Sequence, residues 1–141
     1  MTQTSSPATS AIPLASGKVT AVKDGIVVFI PAGTRYELYL AVPNYTGPLN
    51  TPVKCMIRVT ARKVYTVASG GNFIAPIFGP PRIVQGRVRS GNEKSLVVHA
   101  GCPIFVELPA AESGIDLDDG PISVGRMVNV ACQPGARAEF L

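Results

Sequence analysis

An all-β fold is predicted for this 141-residue chain, built as a tandem duplication of a small four- to five-stranded barrel of the OB or SH3-like kind. Three observations predict it. Short apolar runs alternate with polar residues at period two, the pattern of half-buried strands rather than helices. Gly and Pro are frequent, with 14 and 13 copies, as expected for many strands joined by turns. A stretch of the first half is also echoed in the second. Residues 17–38 read GKVTAVKDGIVVFIPAGTRYEL and residues 86–108 read GRVRSGNEKSLVVHAGCPIFVEL. Each opens on Gly, a basic residue and Val, passes a polar turn and a paired Val, reaches Ala-Gly and closes on Glu-Leu.

Taken in order, residues 1–15 form an arm rich in Ser, Thr and Pro, expected to be flexible unless a partner orders it. It lacks the basic start and apolar run of a secretory signal. The first barrel occupies residues 16–67. Residues 18–22 read as a strand, and Asp24-Gly25 supplies the positive φ of a tight hairpin. Residues 26–30, IVVFI, are wholly apolar and are predicted to be buried on both faces. Residues 35–40 alternate, with Tyr36, Leu38 and Leu40 on one face and Arg35, Glu37 and Tyr39 on the other. A Pro/Asn/Gly loop over residues 43–52 leads to the longest alternating run, VKCMIRVTA at 53–61. There Val53, Cys55, Ile57, Val59 and Ala61 face inward, and Lys54, Met56, Arg58, Thr60 and Arg62 outward. Residues 63–67 continue as a fifth strand or bend from the fourth.

The second barrel occupies residues 83–141. Phe29 is matched in the echo by His99, Glu37 by Glu107, and Val53-x-x-Met56-Ile57 by Val124-x-x-Met127-Val128. The spacing drifts from 69 to 71 residues along the way, as loop insertions would produce. The only helical candidate, residues 109–118, is weakened to a single turn by Gly114. Each unit alone is small, so the two are expected to pack into one body or exchange strands.

Between them lies a joint, residues 68–82. The stretch 64–81, VYTVASGGNFIAPIFGPP, has no charged residue. A solvated linker is polar, so this one is expected to be covered. Its apolar residues Phe73, Ile74, Ile77 and Phe78 are expected to fill a groove between the barrels or to dock on a neighbouring subunit.

The 46% apolar fraction and mean hydropathy of +0.27 supply a core and exclude a disordered chain. No apolar run reaches the length of a membrane helix. Cys55, Cys102 and Cys132 lack metal-ligand spacing and are expected as reduced thiols in a cytoplasmic protein. The net charge of +4 is uneven. Residues 1–80 hold seven Lys/Arg against two Asp/Glu, and residues 81–141 hold six against seven. In an extended strand Lys54, Arg58 and Arg62 stand about 13 Å apart on one side, and with Lys63 they are candidates for tracking a phosphate backbone.

Reactive constellations are sparse. His99 precedes Cys102 by three residues, a conceivable pair, but a strand-end imidazole is the plainer reading. Glu37 and Glu107, matched in the echo, are candidates for a carboxylate pair, although both fall on polar strand faces. Asp116, Asp118 and Asp119 form an acidic loop without an EF-hand register, so neither a metal site nor a cofactor is expected. Phosphate-loop, dinucleotide, zinc-protease and nucleophile-elbow motifs are absent. The G-x-V-x-x-V…G-x-V-V opening (Gly17, Val19, Val22, Gly25, Val27, Val28) is loosely similar to tandem oxyanion-binding barrels of the molybdate-binding type. The helix and polar loop that shape the ligand site there have no counterpart, and no residue is carried over.

The sequence therefore favours a non-catalytic structural or protein-interaction module that self-associates as a homo-oligomer. A nucleic-acid-binding barrel using the basic face is the alternative. A small-molecule or oxyanion site, or an enzyme site between the barrels, is the third reading.

Overall fold

The computed structural model describes residues 13–109, 114–117 and 120–141. It is all-β, with a mixed sheet and no α-helix among the described residues. Most of the N-terminal arm, half of the helical candidate, and Asp118 and Asp119 of the acidic loop lie outside the described residues.

Strands β1 (Ala15–Lys23), β2 (Ile26–Pro31) and β3 (Glu37–Ala41) form an antiparallel meander. Asp24 and Gly25 turn the first hairpin with φ of 54° and 77°, the left-handed pair that matches the twist of its strands. After the Pro-rich loop comes β4 (Val53–Thr66), the longest strand at 14 residues. The joint holds two short strands, β5 (Phe73–Ala75) and β6 (Phe78–Gly79). A second meander follows: β7 (Ile83–Gly91), β8 (Ser95–His99) and β9 (Pro103–Glu107). Then come β10 (Ile115–Asp116), β11 (Met127–Cys132) and β12 (Arg137–Phe140).

The pairings return on themselves in two circuits that share β4. One runs β1-β2-β3-β12-β4 and back to β1, and the other β7-β8-β9-β4-β11 and back to β7. The first half of β4 pairs β1 and β12, and the second half pairs β11. β9 lies parallel along its middle. Each circuit thus contains one strand from the other half of the chain: β12 in the first, β4 in the second.

Residue-level registers agree between the halves. Val19 faces Phe29 and, 69 residues on, Val88 faces Val98. Each β1-type strand carries a bulge at the same point, between Val19/Ala21 and between Val88/Ser90. Phe29 faces Leu38 as Val98 faces Ile104, and Gly17 faces Val53 as Gly86 faces Val128. Gly17 and Gly86 recur for a steric reason. A Cβ on Gly17 would stand 2.3 Å from the Ile30 carbonyl oxygen, and one on Gly86 would stand 2.0 Å from that of His99. Ile30 and His99 are themselves 69 positions apart.

These registers correct the matching read from the sequence. Val98, not His99, stands where Phe29 stands, with its side chain buried. Val128, not Val124, is the counterpart of Val53; Val124 precedes β11 and is 72% exposed. Glu107 corresponds to Ala41 rather than Glu37, since Glu107 pairs Thr60 on β4 as Ala41 pairs Arg137 on β12.

The core is one cluster drawn from both meanders, with Phe29, Leu38, Leu40, Ile57, Ile74 and Ile104 its largest fully buried side chains. Cys55, Ile57, Val59 and Ala61 are buried as the alternation predicts, and Met56, expected outward, is buried too. β4 continues past Ala61 through a bulge: Ala61 faces Cys132 and Lys63 faces Ala131, leaving Arg62 extra. The bulge shifts the alternation by one residue, so beyond it Val64 and Thr66 point inward. Residues 26–30 are not buried on both faces. Val27 and Phe29 point into the core, while Ile26 is exposed and Val28 and Ile30 are half-buried, because among the described residues no second layer covers the outside of this meander.

Candidate interaction surface

The uncharged joint is fastened at both ends. β5 pairs β7, with Ile74 opposite Val84, and the Ile74 amide donates to the Tyr36 hydroxyl at 3.1 Å. β6 lies parallel to β3, and the Glu37 amide donates to the Ile77 carbonyl at 2.8 Å. Gln85 donates to the Gly71 carbonyl at 2.9 Å and accepts from Asn129 at 2.9 Å, tying the start of the joint to β7 and β11.

Fastening divides the four apolar candidates. Ile74 is 1% exposed and belongs to the core. Phe73 stays at the surface, and the corner between the two short strands presents Ile77 and Phe78, 54% and 62% exposed. Phe78 stands opposite Glu37 in the parallel pairing, so it shares the outer face of β3 with Tyr39, itself 41% exposed. Val28, opposite Tyr39, extends this surface onto β2. The joint is therefore partly covered; it adds Phe78 to the outer face of β3 and leaves Ile77 exposed at the corner beside it. Arg35 and Glu37, beside this corner, have no ion-pair partner among the described residues.

The basic candidates are dispersed. Lys54 and Arg62 are exposed. Arg58 is held in place, its guanidinium 3.6 Å from Glu139 and 4.7 Å over the Phe105 ring. Lys63 lies 5.0 Å over the Tyr65 ring. The bulge at Arg62 breaks the regular spacing, and Arg58 spends its charge within the fold.

His99 and Cys102 are close in sequence without forming a pair. His99, at the end of β8, is pulled below its ordinary pKa of 6.5, by burial first and then by the Arg89 charge. Cys102 is buried in the core, and burial pushes its thiol up to about 12. Cys132 is pushed to about 12 in the same way, and Cys55 also to about 12 by burial and the neighbouring Cys102. All three are free thiols held in the protonated, unreactive form. Glu107 accepts from Arg137 and, at 3.4 Å, from the Thr60 hydroxyl, whereas Glu37 faces Phe78, so the two carboxylates have separate surroundings. Asp116 lies in β10 beside Tyr65 of β4.

No group of three His, Cys, Asp or Glu with metal-binding geometry occurs among the described residues. No described helix is long and apolar enough to cross a membrane. Two features escaped the sequence reading. Tyr39 was placed on a polar face but joins the apolar patch. Arg82 was assigned no role, although the Pro80-Pro81-Arg82 turn places it in a cleft with Arg62. No known protein family, curated protein or solved structure matches this chain.

Proposed function

We propose that the protein is a non-catalytic tandem of two small barrels, related by duplication, that self-associates through the corner of its uncharged joint. The exposure of Ile77 and Phe78 beside Tyr39 carries this reading. Large apolar side chains gathered at one exposed place, rather than scattered singly, mark interaction surfaces. The shared registers and bulge positions of the two halves support the duplication, and the two circuits of pairing support the barrels.

A second copy of the chain is the partner that the surroundings favour. Arg35 and Glu37 stand two residues apart beside the patch, opposite in sign and unpaired among the described residues. Across a two-fold axis each meets its complement from the other copy, the requirement of an isologous interface. Three free thiols fit a reducing, cytoplasmic setting. The nucleic-acid alternative has less support, because Arg58 is engaged with Glu139 and Phe105.

The test is solution mass by light scattering over a concentration series, for the wild type and for Phe78→Glu and Ile77→Asp. The expected result is a wild-type dimer and monomeric variants with unchanged circular dichroism. A wild type that stays monomeric at its highest soluble concentration overturns the proposal.

A further inference from the structure

Within the stretch of β4 that corresponds to β12, residues 60–64, Arg62 is the one residue without a counterpart. Ala61 and Lys63 occupy the positions of Ala138 and Glu139, and Arg62 is the extra residue inserted between them. Arg62 is exposed and lines a cleft of about 500 Å³. That volume is in the range of small-molecule sites. Arg82 lines the same cleft. Its carbonyl accepts from the Cys132 amide at 2.8 Å, while Cys132 on its other side faces Ala61. Arg62 and Arg82 therefore flank one residue of β11, two strand spacings or roughly 10 Å apart at the backbone. Two extended guanidiniums at that separation reach a common point.

Neither guanidinium has a hydrogen bond or ion pair with any described residue, and among the described residues no Asp or Glu lines the cleft. The remaining wall is apolar and stiff, formed mainly by Pro80, Pro81 and Pro134, with the Gln133 amide as a further polar group.

We infer that this cleft binds a small organic phosphate, its dianion shared by Arg62 and Arg82 and its apolar body laid on the proline wall. A carboxylate is satisfied by one arginine fork. A phosphate dianion has oxygens for two, and binding it neutralises both charges.

The test is an NMR titration of the full chain with inorganic phosphate, phenyl phosphate and a short single-stranded oligonucleotide. Both phosphates are expected to shift the amides of Arg62, Arg82 and Gln133, phenyl phosphate binding the more tightly through its ring. Arg62→Gln and Arg82→Gln are each expected to weaken binding by roughly tenfold, the loss of one charge-assisted contact. Lys23→Gln and Arg89→Gln, exposed cations elsewhere, leave it unchanged. The inference is overturned if there is no saturable shift, if the loss is equal in the control variants, or if phenyl phosphate binds no better than phosphate. An oligonucleotide that outcompetes phenyl phosphate at equal phosphate concentration also overturns it, in favour of a polymer-binding face.

Discussion

The two halves of the chain pair their strands in the same register, yet one closes with a continuous strand and the other with a broken one. β4 runs from Val53 to Thr66 without interruption and serves both circuits. Its counterpart is split into β11 and β12 by residues 133–136. Gly17 and Gly86, Val19 and Val88, and Phe29 and Val98 hold matching places in the two registers. The two halves differ where the strands leave the core. There the first half gains the inserted Arg62 and the second gains the turn that walls the cleft.

The largest effect that can test this comparison lies at Ile57, which faces Ala138 in one circuit and Ile104 in the other. Its side chain is fully buried, so Ile57→Ala is expected to cost about 2–5 kcal/mol. Urea unfolding should remain a single transition at lower midpoint, with amide protection falling in both meanders. Protection lost from only one meander would mean that β4 does not join the two. A smaller effect compares equivalent positions: Gly17→Ala and Gly86→Ala each force a Cβ against a carbonyl on the adjacent strand. Each should cost about 1–3 kcal/mol, with similar values because each new Cβ meets the carbonyl of a matched residue, Ile30 or His99. A clearly cheaper substitution in one half would break the equivalence.

The smallest effect distinguishes the halves by pH. The unfolded chain takes up a proton at His99 as pH falls through 6.5, before the folded chain does, because burial and Arg89 lower the folded pKa. Stability is therefore full above that pH, declines below it, and levels off under the folded value. His99 is the only histidine, and Ile30 stands at its place in the first half. His99→Gln should thus flatten the midpoint of urea unfolding between about pH 5 and 7, the range in which histidine titrates.

Much of the strand pattern was legible because a strand with one face in the core must alternate. Leu38, Leu40, Cys55, Ile57 and Val59 are buried where their spacing put them. Asp24-Gly25 was legible because few dipeptides accept two positive φ values. Register was not. Val124 and Val128 are the same residue type four positions apart, and only the strand opposite decides which one faces the core. The bulge at Arg62 was hidden for the same reason, since an inserted residue exists only relative to a partner. The outward side of residues 26–30 was misjudged because apolar composition does not say whether a second layer covers a sheet. Within the joint, Ile74 and Ile77 are chemically identical, and the hydrogen bond from the Ile74 amide to Tyr36 accompanies the inward placement of one. Arg82 was passed over because its meaning depends on Arg62, 20 positions earlier in the chain.

Sharing strands between halves also sets an order of assembly during synthesis. β1, β2, β3 and β4 leave the ribosome first, yet their circuit lacks its fifth member until residues 137–140 have been made. Until then β3 and the first half of β4 have no β12 between them, and unpaired strands invite pairing with other chains. The second circuit, by contrast, finds β4 already waiting when β9 and β11 emerge. The half translated first is therefore the half completed last, and the nascent chain depends on β12 to end the exposure of β3 and β4.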